Sequence, residues 1–177
     1  MTGVQTCALP ISLPLPNKVV NVVIAGLGGQ GALKASDIVA NAAFRSGLDV
    51  KKSEIHGMSQ RGGSVTSDIR FGAEVFSPMV PPGEADFLVV LAASQVENNR
   101  WQLRPGGTLI PPDLVDENTL RSKKSLNVAL LGALSALLDL PEEEWLAAIR
   151  GNLPEKLHDM NLNAFQKGRE AAAGLRS

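Results

Sequence analysis

Residues 19–31 read VVNVVIAGLGGQG, an apolar run that ends in glycines. The run from Val19 to Ala25 is β-branched and apolar nearly throughout, which is typical of a strand buried on both faces of a parallel sheet. The residues from Gly26 to Gly31 match the pattern G-x-G-x-x-G, and a helix is predicted from Ala32 to Ser46 with Gly47 as its stop. This strand, turn and helix predict an α/β domain.

The rest of the chain alternates between strands and helices and ends in helices alone. The segment from Ser64 to Phe71 alternates apolar and polar residues, which favours a half-exposed antiparallel strand at a sheet edge, with Glu74 to Ser77 as its hairpin partner. Other strands are predicted at 48–55, 86–92 and 108–110, a turn at 104–107, and helices at 126–138, 141–151 and 161–173. The predicted fold is a three-layer Rossmann-like α/β domain with a mostly parallel sheet, an antiparallel edge portion and a helical C-terminal third.

The first twelve residues differ from the rest of the chain. They carry no charge and show no helix or strand period, so they do not match a signal peptide. The segment from Met1 to Ile11 resembles the translation of a common sequencing adapter read from a GTG start codon. We therefore expect residues 1–12 to be a disordered artefact, the alternative being a genuine disordered N-terminus. Residues 13–18 form a lead-in, and residues 19–175 form the single domain.

Composition limits the class of protein. The chain has 177 residues, of which 44% are apolar and 20% charged, as expected for one soluble globular domain. One cysteine, Cys7, excludes an internal disulfide framework, a zinc finger and an iron–sulfur cluster held by this chain, and it indicates a reducing compartment, the cytoplasm. A net charge of -1 without a block of Lys and Arg does not support binding to nucleic acid or to an anionic membrane. We predict no metal site.

The first glycine motif is a candidate binding turn. Its glycines allow a tight turn and close backbone approach, and the helix that follows offers unpaired N–H groups to an anion. The turn would bind a dinucleotide or another phosphate-bearing ligand, with Glu54 holding a ribose hydroxyl. The alternative is a turn whose glycines only allow close helix–strand packing. The candidate ligand- or partner-binding residues are Gly26, Gly28, Gly29, Gln30 and Gly31.

The second motif is EIHGMSQRGGS, residues 54–64. Arg61 can bind a carboxylate or phosphate bidentately, and His56 can titrate near neutral pH. The alternative is that Arg61 pairs with a nearby carboxylate and His56 caps a strand end; for His56 we favour this structural role. Arg61 and His56 remain candidates, and no catalytic residue is assigned. The binding candidates of this loop are Ser59, Gln60, Arg61, Gly62 and Gly63.

Four segments together carry a family resemblance. They are GLGGQG (26–31), EIHGMSQRGGSV (54–65), LNVALLGALSALLDLPEEEWLAAI (126–149) and LPEKLHDMNLNAFQKG (153–168). In this order they resemble the gamma-type domain of the 2-oxoacid:ferredoxin oxidoreductases from about Val19 to Gly168. The chain departs from that pattern from Asp113 to Ser125, where a longer crossover is expected.

The resemblance implies a subunit of an oxidoreductase that decarboxylates indolepyruvate or another aryl 2-oxo acid. Electrons would pass to ferredoxin and the acyl group to coenzyme A. Thiamine diphosphate, Mg²⁺ and the iron–sulfur clusters would belong to a large alpha subunit, and this chain would not be active alone. The two glycine loops would lie near the subunit interface and the site, with the Gln30 amide toward a ligand and Arg61 on an anion.

Two other functions stay open at this point. One is a free-standing NAD(P)-binding oxidoreductase, based on the first glycine motif and Glu54. The other is a non-catalytic scaffolding subunit whose loops only contact a partner. Binding of NADH to the isolated protein would favour the first alternative, and loop variants with full activity would favour the second.

Overall fold

Five strands form one sheet in the order β2-β3-β1-β4-β5. The structure is a computed structural model that describes residues 18–57 and 62–175; the predictions for residues 1–17 lie outside them. The strands are β1 (Val20–Leu27), β2 (Asp49–His56), β3 (Ser64–Gly72), β4 (Ala85–Val90) and β5 (Leu103–Ile110), and the helices are α1 (Ala32–Arg45), α2 (Val96–Asn99), α3 (Leu126–Leu137), α4 (Glu142–Asn152) and α5 (His158–Ala171). Short 3₁₀ turns flank α2, connect β5 to α3, and connect α4 to α5.

The predicted buried strand is the centre of the sheet. Val22, Val23 and Ile24 of β1 are fully buried. β1 pairs in parallel with β4, with Val22 opposite Phe87, and antiparallel with β3 on its other side. The apolar run around residues 19–25 therefore reflects burial on both faces, as expected for a central strand.

The predicted position of β3 is wrong, although its antiparallel direction is confirmed. β3 lies between β1 and β2, so the edge of the sheet is β2 and not β3. Two of its polar residues, Ser67 and Asp68, are only 0% and 4% exposed. Asp68 accepts a hydrogen bond from the Val80 N–H at 2.9 Å on the second face of the sheet, so its polar character does not indicate an exposed edge.

Two further local predictions are corrected. The hairpin strand predicted at 74–77 does not form, since these described residues have no strand structure. The Val75 N–H donates to Asp49 Oδ2 at 2.8 Å instead of to a hairpin neighbour. The turn predicted at 104–107 lies inside β5. Leu103 pairs with Ala85 and the next pair is Thr108 with Phe87, so the residues between them bulge out.

Most of the core lies on one face of the sheet, beneath α1, α3, α4 and α5. Trp145 and Phe165 are its largest side chains without solvent exposure, and their rings tilt against each other with centroids 6.1 Å apart. The other face carries a smaller apolar cluster in which Val80 and residues of α2 and β5 cover β1 and β4. The α/β fold predicted from the sequence is confirmed, with the helices concentrated in the C-terminal third.

The helices follow the predicted boundaries closely. α1 ends before Gly47, which has φ +86°, a left-handed backbone that favours glycine. α4 starts after Pro141 and ends at Asn152, one residue beyond the predicted stop, and α5 begins at His158 rather than at Asn161. Within the described residues, no helix has the length and apolar character needed to cross a membrane.

Asp68 makes the stability of the fold depend on pH. Burial raises the pKa of this carboxyl, against the hydrogen bond from Val80 and the charge of Arg70. The folded state therefore holds the proton more tightly than the unfolded state. The contribution of Asp68 to the free energy of unfolding is largest below the ordinary Asp pKa, and it falls as the pH rises through the raised pKa. Asp68→Asn should flatten this decline in urea unfolding curves measured from pH 3.5 to 7.

Asp49 offers a control of opposite sign. The hydrogen bond from Val75 and then that from Lys51 lower the pKa of Asp49, so its contribution is present above the ordinary Asp pKa and is lost as pH falls. Asp49→Asn should reduce the loss of stability on acidification. An unchanged pH profile in the Asp68 variant would show that burial does not govern that carboxyl.

Candidate functional site

A cleft opens at the carboxyl ends of β1, β4 and β5. The chain leaves β1 toward β2 on one side, whereas β4 lies on the other side of β1. In open α/β sheets, such a switch of direction leaves a crevice outside the strand ends where ligands bind. The GLGGQG turn follows β1, so the fold places the first glycine motif at this crevice.

Gln30 ties this turn to the neighbouring strand. Its side-chain Oε1 accepts the Leu27 N–H at 2.7 Å, and its Nε2 donates to the Leu91 carbonyl at 3.4 Å. The Gln30 backbone N–H also donates to the Leu27 carbonyl at 3.1 Å. A Cβ on Gly26 would lie 3.1 Å from Gln30 Oε1, so the glycine leaves room for this side chain. The amide predicted to point toward a ligand thus holds backbone groups at the wall of the cleft.

Asn127 joins the start of α3 to the start of α1. Its Nδ2 donates to the Gly31 carbonyl at 3.2 Å. Gly31 has φ +82°, and a Cβ there would lie 2.5 Å from Asn127 Nδ2. The last glycine of the motif is therefore required by its backbone angle and by its closeness to α3.

The cleft consists of two adjoining cavities that share Gln30, Leu91 and Glu117. The first has a volume of about 420 Å³, and the second of about 670 Å³. The first is lined by the turn, by Lys123 and Lys124, and by the start of α3. The second is lined by the segment after β5, with Pro112, Asp113, Val115, Asp116 and Asn118. The cleft is therefore elongated, with cationic side chains near the turn.

Sequence reasoning missed the two lysines of this cleft. Lys123 and Lys124 are exposed, and Lys123 lies 4.0 Å from Glu117 across the entrance. An available signal was the Ser-Lys-Lys-Ser sequence immediately before the apolar helix. Ser122 caps this turn by accepting the Lys124 N–H at 3.2 Å. Residues of the segment from Asp113 to Ser125 form a wall of the cleft.

The structure brings the two glycine motifs into contact. The Gly28 N–H donates to the Gly63 carbonyl at 2.9 Å, and the Gly57 N–H donates to the Ser64 carbonyl at 2.7 Å. Gly62 has φ +70°. Ser59, Gln60 and Arg61 lie outside the described residues, so their predicted contacts stay predictions. The second loop starts and ends beside the first turn.

His56 lines a separate pocket on the far side of the turn. This pocket has a volume of about 470 Å³ and is also lined by Lys34, Asp37 and the glycines of the turn. His56 is the exposed last residue of β2 and lies opposite Val65 of β3. The structure places the imidazole near the glycine turn without a neighbouring acid–base partner among the described hydrogen bonds.

Glu54 does not lie where a dinucleotide ribose would need it. β3 separates β2 from β1, so Glu54 does not lie on the strand that neighbours β1, where a dinucleotide fold carries its ribose-binding carboxylate. Glu54 Oε1 also binds Lys52 Nζ at 2.6 Å. Burial by itself would lower the pKa of Lys52. The hydrogen bonds and charges of Asp37 and Glu54 outweigh this effect, so the pKa of Lys52 is raised overall. The interpretation of Glu54 as a ribose ligand is therefore wrong.

Metal ligands are not grouped in the part of the chain that the structure describes. Within residues 18–57 and 62–175, no three His, Cys, Asp or Glu side chains come together as a possible metal site. The described cleft offers lysine side chains beside the glycine turn, where an anionic group is favoured, and the carboxylates of Asp113, Asp116 and Glu117 along the adjoining cavity.

Comparison with known proteins gives this cleft a context. Residues 21–119 and 112–171 match the family model described as pyruvate ferredoxin/flavodoxin oxidoreductase. The indolepyruvate oxidoreductase subunit IorB of Thermococcus kodakarensis is 37% identical, over 86% of this chain and 95% of the relative. The chain therefore corresponds to nearly the full length of that relative.

Two solved structures share the fold. The gamma subunit of a keto/oxoacid ferredoxin oxidoreductase from Geobacter sulfurreducens superposes with a TM-score of 0.68 at 24% identity, covering 88% of this chain and 99% of the other. The 2-oxoglutarate:ferredoxin oxidoreductase from Magnetococcus marinus, solved with 2-oxoglutarate, coenzyme A and succinyl-CoA bound, gives a TM-score of 0.74 at 23% identity. This second match covers 89% of the present chain and 31% of that longer chain.

Proposed function

Since this chain belongs to the pyruvate ferredoxin/flavodoxin oxidoreductase family, we propose that it is the small subunit of an indolepyruvate:ferredoxin oxidoreductase. The observation that carries the proposal is the identity of 37% to an indolepyruvate oxidoreductase subunit across 95% of that subunit's length. The large subunit would hold thiamine diphosphate, Mg²⁺ and the iron–sulfur clusters, and would supply the decarboxylation and the electron path to ferredoxin. This chain would complete the complex and bind coenzyme A, which accepts the acyl group.

The cleft suits a ligand with the chemistry of coenzyme A. Coenzyme A carries phosphates at one end and a long, largely uncharged arm at the other. Lys123, Lys124 and the turn would bind phosphates, because cations and free backbone N–H groups both favour negative charge. The adjoining cavity beyond Gln30 would take the arm. The longer Magnetococcus marinus chain, 31% of which shares this fold, is solved with coenzyme A bound, which supports this ligand class.

The second motif would face the large subunit. Its C-terminal end is hydrogen-bonded to the glycine turn through Gly63 and Gly28, so a partner that binds this loop would lie beside the cleft. Arg61 remains the predicted anion contact of the loop. A charge-assisted hydrogen bond contributes about 1.5–3 kcal/mol, so unchanged substrate and coenzyme A kinetics after Arg61→Ala in an assembled complex would contradict this role.

Reconstitution of the complex tests the proposed function. The chain is to be produced together with its large subunit, and the reduction of ferredoxin is followed with indolepyruvate, phenylpyruvate, pyruvate or 2-oxoglutarate, with and without coenzyme A. We expect fastest turnover with indolepyruvate and a requirement for both subunits and coenzyme A. Full activity of the large subunit alone, or NADH binding by the small subunit alone, would contradict the proposal.

Lys123 and Lys124 provide a test of the cleft itself. Changing both to Gln should raise the KM for coenzyme A by about five- to tenfold, because each exposed charge contributes up to about 1 kcal/mol to binding an anion. The increase should shrink at high salt, since exposed charges are screened. The KM for indolepyruvate should stay constant. Lys156→Gln, at an exposed lysine between α4 and α5, is the matched control. If the double variant and the Lys156→Gln control have the same KM for coenzyme A, Lys123 and Lys124 do not bind this ligand.

A further inference from the structure

Gln30 stands where the two cavities of the cleft meet, and it lines both of them. We propose that Gln30 is a positioning residue, which sets the geometry of the glycine turn for coenzyme A through hydrogen bonds to Leu27 and Leu91. This inference rests on the proposed function, because it concerns the ligand of the same cleft. It assigns to the amide a role in holding the site, in place of the direct ligand contact predicted from the sequence.

The hydrogen bonds of Gln30 close the turn from two directions. The backbone N–H of Gln30 donates to the Leu27 carbonyl, and the Leu27 N–H donates back to the Gln30 side chain. Leu27 and Gln30 therefore form a reciprocal pair of hydrogen bonds, with the exposed Gly28 and Gly29 between them. Gly29 has φ +89°, and the space where a Cβ would lie is open. The side chain of Gln30, next in the sequence, therefore fixes the end of the turn that follows this left-handed residue.

The bond to Leu91 connects the turn to the next strand. Leu91 follows β4, and its N–H donates to the Ala25 carbonyl of β1 at 2.8 Å. The Leu91 carbonyl then accepts from Gln30 Nε2. One amide thus joins the ends of β1 and β4 at the place where the cleft lies between them. Because both strands are otherwise buried and rigid, a change at Gln30 should move the turn and leave the sheet in place.

Three variants separate the hydrogen bonds from the volume of the side chain. Gln30→Met has a similar length and fills the space above Gly26, but it can neither accept from Leu27 nor donate to Leu91. Gln30→Ala removes both the bonds and the volume. Gln30→Glu keeps an acceptor for Leu27 and loses the donor to Leu91. Gln102→Ala is the matched control, since Gln102 Nε2 donates to Asn99 Oδ1 at 2.8 Å away from the cleft.

The measurement is steady-state kinetics of the complex with its large subunit. We expect Gln30→Met and Gln30→Ala each to raise the KM for coenzyme A by about fivefold or more, the loss of one to two hydrogen bonds. The KM for indolepyruvate, and kcat at saturating coenzyme A, should stay within about twofold of the original values, as expected when ground-state and transition-state binding fall equally. Gln30→Glu should raise the KM for coenzyme A at least as much as Gln30→Met does, because its carboxylate also adds a negative charge beside the phosphates.

Three results would overturn the proposal. The first is a KM for coenzyme A in Gln30→Met equal to that of the original protein, which would mean that volume alone matters. The second is an equal rise in the KM for both substrates or an equal effect in Gln102→Ala, which would mean a general loss of structure. The third is an unchanged KM in all variants. Failure of the proposed function is distinct, because then the original complex itself would not use coenzyme A.

Discussion

Replacing Gly168 with alanine should strongly destabilise the helical third of this protein. α3 and α5 cross with their backbones in contact, and a Cβ on Gly168 would lie 1.6 Å from the Ala129 carbonyl oxygen. The clash is with backbone of another helix, so no side chain can turn aside. We expect a loss of at least about 3 kcal/mol in the free energy of unfolding, the upper range for overpacked cores. Urea unfolding followed by circular dichroism measures this loss.

Two glycines of the same helical region make the test specific. Gly132 of α3 lies on the other side of the crossing, where a Cβ would be 2.0 Å from the Phe165 carbonyl oxygen, so Gly132→Ala should be equally harmful. Gly151 of α4 has no atom within 4 Å of a Cβ position. Gly151→Ala should stabilise the protein by up to about 0.5–1 kcal/mol, because alanine favours helix over glycine. A Gly168→Ala protein as stable as Gly151→Ala would contradict the close helix crossing.

The second large effect is expected at Gly31. Gly31→Ala would impose a left-handed φ of +82° on a residue with a Cβ, at a cost of about 1–2 kcal/mol. The Cβ would also press on Asn127 Nδ2, which holds the Gly31 carbonyl. We expect a loss of coenzyme A–dependent activity by about tenfold or more in the assembled complex, since a displacement of 1 Å at a site can have effects of this size. The assay is ferredoxin reduction with indolepyruvate.

Variants at Gly29 and Asn127 distinguish the two causes of the expected effect at Gly31, which are backbone strain and the clash with Asn127. Gly29→Ala has the same kind of φ strain, at +89°, but meets no atom within 4 Å, so it should lose stability from strain alone. Asn127→Ala combined with Gly31→Ala should restore part of the lost stability by removing the clash. Equal stability of the Gly29 and Gly31 variants, with no recovery in the double variant, would show that Asn127 does not constrain the turn.

Sequence patterns predicted the elements whose burial is uniform. β1 is buried on both faces and α3 on nearly all sides, so each reads as a continuous apolar run. The glycine turn was predictable because its motif is typical of left-handed backbone angles and of close backbone approach. Gly29 and Gly31 both have positive φ values. These features depend on residues that are close together in the sequence.

The errors arose where distant residues determine the structure. The position of β3 inside the sheet depends on pairing with both β1 and β2, and its alternating pattern does not reveal the second partner. Lys123 and Lys124 reach the cleft only because the segment after β5 folds back toward the turn. Gln30 was predicted at the site, but its bond to Leu91 joins residues separated by 61 positions. No local period carries that information.

The sheet order has a consequence for synthesis on the ribosome. Val22 of β1 pairs with Phe87 of β4, so one side of the central strand has no neighbour until the chain has been extended far beyond it. At about 5–20 residues per second, β1 would wait several seconds for that neighbour. During this interval it presents an apolar edge with free N–H and C=O groups, the kind of surface that joins other chains. We expect the nascent chain to be most prone to aggregation before β4 emerges, although the finished fold buries β1 from Val20 to Gly26.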